Sequence, residues 1–74
     1  MKSIEVLAHF NKGKIQILSI IYNKEVYKVS EIKKLSVSGF KNKKLKYYKL
    51  TTKQFIFIVS FNPASLNWNM ISKN

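Results

Sequence analysis

The stretch Gln54-Phe55-Ile56-Phe57-Ile58-Val59-Ser60-Phe61 decides the fold. Phe55, Phe57, Val59 and Phe61 alternate with Ile56 and Ile58, so an extended segment carries apolar side chains on both sides. A period of two marks a β-strand, and aromatic and β-branched residues fit a pleated surface. Apolar character on both faces predicts a strand buried on two sides. The apolar run at residues 55–59 falls far short of the roughly 20 residues that cross a bilayer as a helix, so no membrane span is expected.

The same period extends in both directions. Downstream, Asn62-Pro63-Ala64-Ser65 reads as a loop, because proline cannot serve an internal ladder. Residues 66–71 form a short last strand carrying Trp68, and residues 72–74 are expected to fray. Upstream, Thr51-Thr52-Lys53 is a turn and residues 44–51 are a strand. There Leu45, Tyr47 and Lys49 lie on one side, with Lys46, Tyr48 and Leu50 on the other. Residues 36–43, with Gly39 and small polar residues, read as a longer loop. Residues 25–34 form a strand with Tyr27, Val29 and Glu31 on one face and Val26, Lys28, Ser30 and Ile32 on the other. Asn23-Lys24 is a two-residue turn that requires a positive φ at Lys24. Residues 15–22 and 4–10 are strands joined through Asn11-Lys12-Gly13-Lys14, with Gly13 available for a positive φ. The expected fold is all-β: a single domain over residues 1–74, an antiparallel meander of about six short strands curled into an open barrel.

A chain of 74 residues buries only about 60% of its unfolded surface, so its core must be well filled. Disulfides cannot help, since there is no cysteine, and His9 is the only histidine, which leaves zinc without a ligand set. Oligomerisation is the remaining supplement for a small core. Absence of cysteine fits a reducing compartment, and no apolar leader follows Lys2 and Glu5, so a soluble cytoplasmic protein is expected. No catalytic constellation is visible. Glu5, Glu25 and Glu31 fall in three different strands or turns, His9 with Ser19, Ser30 or Ser60 gives no nucleophile spacing, and two glycines make no phosphate loop. No enzyme activity, cofactor or metal is expected.

Charge carries the functional reading. Fourteen lysines face three glutamates, with no arginine, for a formal net charge of +11. Drift toward AT-rich codons explains lysine in place of arginine. It does not explain why so few carboxylates balance the ammonium groups. Eight of the fourteen lysines fall between Lys33 and Lys53. The candidate nucleic-acid-binding residues are therefore Lys33, Lys34, Lys41, Lys43, Lys44, Lys46, Lys49 and Lys53, with Tyr48 offering a ring to an unstacked base. Such a surface binds phosphates steeply with salt, and lysine, a point charge without arginine's fork, reads little sequence. The partner expected is nucleic acid, single-stranded or bound without specificity. The alternative is a protein-interaction module or homodimer whose lysines serve solubility and protect strand edges. For any single lysine the simplest role is a solvated surface, and for Tyr47, Tyr48 and Trp68 it is a place in the core.

Tyr27-Lys28-Val29, then Tyr47-Tyr48-Lys49-Leu50, then residues 55–59, then Trp68 follow one another in an order that resembles small bacterial SH3-like β-barrel domains of unknown function. The resemblance covers residues 15–71. It implies an SH3-like barrel, and a nucleic-acid context because some such domains occur beside DNA-repair polymerase-like proteins. That group often has arginine where this chain has lysine.

Overall fold

The computed structural model describes residues 2–74, residues 2 and 3 by backbone alone. Its strands are β1 (Lys2–Ser3), β2 (Glu5–Asn11), β3 (Lys14–Tyr22), β4 (Glu25–Lys28), β5 (Glu31–Leu35), β6 (Lys46–Thr51), β7 (Ile56–Asn62) and β8 (Asn67–Lys73). A 3-10 turn, Val37–Gly39, is the only helical element described. The strands form a five-stranded sheet in the order β1-β8-β7-β6-β5 and a three-stranded sheet in the order β2-β3-β4, antiparallel throughout. The protein is all-β, as the alternation predicts, and takes the form of an open barrel of two sheets.

Two bends make the barrel. The Ile4 N–H donates to the Trp68 carbonyl at 3.3 Å, where the chain passes from β1 in the large sheet to β2 in the small one. At the second bend the Val29 N–H donates to Leu18 in β3 at 3.0 Å, while the Ser30 N–H donates to Thr51 in β6 at 2.8 Å. The segment at residues 25–35 thus pairs with β3 by its first half and with β6 by its second. This corrects the single strand expected over residues 25–34. It also corrects the face expected for Ile32, which pairs with Leu50 on the core side of the sheet rather than lying opposite Tyr27.

The core lies between the sheets. Phe57, Val59 and Phe61 of β7 meet Ile17 and Ile20 of β3, with Leu50, Tyr48, Tyr27, Trp68 and Ile4 completing the cluster. Phe57 is fully buried, with ring centroids 6.0 Å from Tyr22, 5.7 Å from Tyr27 and 6.0 Å from Phe55. Each such pair adds about 0.5–1.5 kcal/mol beyond the area it buries. Lys73 closes this cluster, its Nζ 4.2 Å from the Phe55 ring centroid and 5.2 Å from that of Tyr22. The end of the chain is paired rather than frayed: Asn74 and Ile56 exchange backbone hydrogen bonds of 2.9 and 2.8 Å.

Two-sided burial of β7 holds over part of its length. Ser60 is buried on the outer face, whereas Ile56 is 36% exposed there. The cover is the loop before β6, whose Phe40 ring stacks on Tyr47 at 3.7 Å and 4°. Tyr47 is therefore buried outside the main core, and its hydroxyl donates to the Asn42 carbonyl at 2.8 Å.

Both tight hairpins have the left-handed turns their strand twist requires. Lys12 and Gly13 have φ of 50° and 80°, and Asn23 and Lys24 have φ of 55° and 67°. Asparagine tolerates this region, but a lysine there carries about 1–2 kcal/mol of strain. Lys24→Gly relieves it and loses about 0.5–1 kcal/mol to chain entropy. The expected result is a net gain of about 0.5 kcal/mol, a rise of about 2–4 °C in a thermal melt followed by circular dichroism.

Candidate polyanion-binding surface

The aromatic residues of the basic segment are used internally. Tyr47, Tyr48 and Trp68 are 3%, 6% and 8% exposed. Trp68 packs against Phe61 with centroids 4.5 Å apart and against Tyr48 at 6.0 Å, so it closes the barrel. Burial pushes the Tyr48 phenol above its ordinary pKa. The Tyr27 phenol is raised as well, first through its 2.8 Å hydrogen bond to Glu25 and then through burial. The expectation that Tyr48 stacks on a base meets a ring only 6% exposed, which leaves it little surface to offer, although it lines a groove with Lys14, Lys34 and Lys46. The reason is register, since Tyr48 opposes Val59, a fully buried residue of the central strand.

The predicted lysines do not form one patch. Lys33 and Lys34 are neighbours in β5, so they point to opposite faces. Lys46 and Lys49 are three positions apart in β6 and do the same. Lys33 and Lys49 oppose each other on the outer face of the large sheet, while Lys34 opposes Tyr48 and Lys46 opposes Phe61 at the rim of the inner face. Lys41 borders a shallow concavity beneath the loop with Asn42, Tyr47 and Ser60. Lys44 has its backbone N–H on the Asn42 Oδ1 at 2.9 Å and its side chain exposed. Lys53 and Lys28 both line a cavity of about 420 Å³ beside β4.

Lys43 has a different role from the one expected. Its Nζ donates to the carbonyls of Val37, Ser38 and Phe40 at 2.9, 3.1 and 2.6 Å. These are all three donors an ammonium has, so the side chain pins the 3-10 turn and holds the loop over Tyr47. Sequence reasoning placed it with the phosphate-binding lysines because carbonyls of a folded loop leave no mark in composition.

A groove brings three lysines together. Lys14, Lys34 and Lys46 surround a cavity of about 340 Å³ whose floor is Ile15, Ile32 and Tyr48, with Gly13 at its lip. No carboxylate lines it. It exists because β5 turns away from β3 after the bend at Val29 and Ser30, opening a seam between β5 and the start of β3. Lys14 was missed because it lies far from Lys34 in the chain. The available signal was its place at the end of the first hairpin, where a bent third strand would bring it beside the fourth. Three ammonium groups around an uncharged floor attract an anion whose charge is shared over several oxygens, and lysine provides no planar fork to select a base edge.

Among the described residues, no three His, Cys, Asp or Glu side chains gather in a way that could hold a metal ion, and no helix is long and apolar enough to cross a membrane. No family model matches the chain, and no curated protein or solved structure matches it.

Proposed function

We propose that this is a non-enzymatic, cytoplasmic nucleic-acid-binding domain that contacts the phosphate backbone through Lys14, Lys34 and Lys46. The observation that carries the reading is the convergence of three lysines from three strands on a groove with no carboxylate. Lys12 and Lys44 flank the groove in sequence, and the net charge of +11 draws a polyanion toward it from any side. With Tyr47, Tyr48 and Trp68 buried, base stacking contributes little, so affinity is electrostatic and sequence preference is slight.

The wild-type domain is expected to bind a mixed-sequence single-stranded oligonucleotide at about 50 mM salt and to lose that affinity steeply toward about 500 mM. Fluorescence anisotropy with a labelled oligonucleotide reads this directly. Absence of binding at the lower salt defeats the proposal, because the electrostatic contribution is largest there.

A further inference from the structure

The outer face of the three-stranded sheet is apolar and uncovered. Leu7, Leu18 and Val26 are 57%, 42% and 65% exposed, around half-buried Ile21. Strand β3 therefore carries apolar residues on both faces, with Ile17 and Ile20 facing the core and Leu18 and Ile21 facing out. A strand patterned in this way is ordinarily covered on both sides, and a domain of 74 residues has a small core to sustain alone.

Charge identifies what covers this face. Register places Glu5, Ile21 and Val26 in one row across the sheet and Leu7, Ser19 and Lys28 in the next. One carboxylate and one ammonium stand on these rows, with His9 opposite Gln16 one row beyond. On a molecule of net charge +11, these rows form a face that is close to neutral. A polyanion has little to hold there, and a second copy meets little of the repulsion it meets elsewhere.

The rows are also self-complementary. Glu5 and Lys28 occupy diagonally opposite corners, because β2 and β4 are the outer strands and the two residues lie in different rows. Leu7 and Val26 occupy the other two corners. Two strand spacings of about 4.8 Å across and two residues of about 3.4 Å along make this patch about 10 Å by 7 Å. A two-fold axis lying in the interface along the Leu7–Val26 diagonal crosses the strands of the two sheets at about 70°, toward the orthogonal class of sheet packing. It brings Leu7 and Val26 each onto its own counterpart, and Glu5 of each copy to about 4 Å from the position facing Lys28 of the other, within reach of the two long side chains.

We infer that the domain forms a two-fold homodimer through the outer face of β2, β3 and β4. The dimer is held by Leu7, Leu18, Ile21 and Val26 and oriented by reciprocal Glu5–Lys28 pairs. This interface is separate from the lysine groove, and its salt dependence is opposite: screening the net charge strengthens the dimer while weakening oligonucleotide binding.

Sedimentation equilibrium from about 10 μM to 1 mM, at about 50 and 500 mM salt, is the test. The expected result is a dimer that tightens with salt. Leu7→Lys and Val26→Lys, both at exposed positions, each weaken it by about tenfold or more. Glu5→Lys and Lys28→Glu each weaken it through a like-charge contact, and the double variant restores it. That recovery requires the contact between copies, because within one chain the two residues lie two strands apart. Melts by circular dichroism confirm that each variant is folded. A monomer across the whole range, a dimer indifferent to Leu7→Lys and Val26→Lys, or a double exchange that restores nothing overturns the inference.

Discussion

Replacing Lys14, Lys34 and Lys46 together by glutamine lowers affinity for a single-stranded oligonucleotide by about 500-fold at about 50 mM salt. Counterion release sets the size of this loss. Each lysine–phosphate contact to a single strand contributes about 0.7 to the slope of log affinity against log salt, so three contacts contribute about 2. From a reference near 1 M salt down to about 50 mM, each contact is then worth about eightfold. The matched control is Lys33, Lys49 and Lys53 changed to glutamine. It removes the same charge from the outer face and from the cavity beside β4. Long-range attraction falls equally in both variants, so the control is expected to lose about tenfold or less and to keep most of the slope. Equal losses in the two variants mean that net charge alone binds the strand. Lys43 is left in place in both sets, because its three carbonyl bonds hold the loop.

Phe57→Ala has the largest expected effect on stability. Phe57 has no exposed surface and touches rings from β3, β4 and the turn before β7. Truncation of a buried phenylalanine costs about 3–5 kcal/mol in lost burial and residual cavity. At about 0.05–0.15 kcal/mol per residue, a domain this small has about 4–11 kcal/mol in total. The variant is expected to melt about 15 °C or more below the wild type, with a large unfolded fraction at 37 °C. Ile56→Ala, the adjacent residue on the partly exposed face, is expected to cost about 1 kcal/mol or less. Chemical denaturation of the two variants thus measures which face of β7 is the core. Similar losses would contradict the arrangement of the sheets.

Strand identity was legible wherever one face is apolar. The alternation in residues 54–61 and 44–51 gave the central strands and the side that Tyr48 and Leu50 occupy. The left-handed turns at Gly13 and at Asn23-Lys24 were legible from residue type and spacing. The bend at Val29 and Ser30 was not, because Val, Ser and Glu are all ordinary strand residues there. What creates the bend is a change of hydrogen-bonding partner, from Leu18 to Thr51, across a long stretch of chain. That one event reversed the face of Ile32, opened the seam beside β5 and brought Lys14 to Lys34 and Lys46. Leu66 was read as the first residue of the last strand. It sits instead at φ 61° in a turn whose Asn62 carbonyl accepts the Leu66 N–H at 2.7 Å. The pairing of Asn74 with Ile56 was likewise hidden, since a short polar end carries no pattern of its own.

The candidate site was half legible. Lys34 and Lys46 were named, but runs of lysine in sequence are split by strand alternation into opposite faces. Lys33 and Lys49 parted from Lys34 and Lys46 for that reason alone. Aromatic residues interleaved with lysine suggested stacking on bases. Register instead sent Tyr48 and Trp68 to the core and Tyr47 beneath a loop.

We propose that phosphate contacts concentrate at the seam between β3 and β5. Amide chemical-shift mapping of the isotopically labelled domain, titrated with a mixed-sequence single-stranded oligonucleotide at low salt, tests it most directly. The largest shifts are expected at residues 13–15, 32–34 and 46–48, and added salt is expected to reverse them. Shifts of equal size beside every exposed lysine, or centred on Lys41, Lys49 and Lys53, would overturn it.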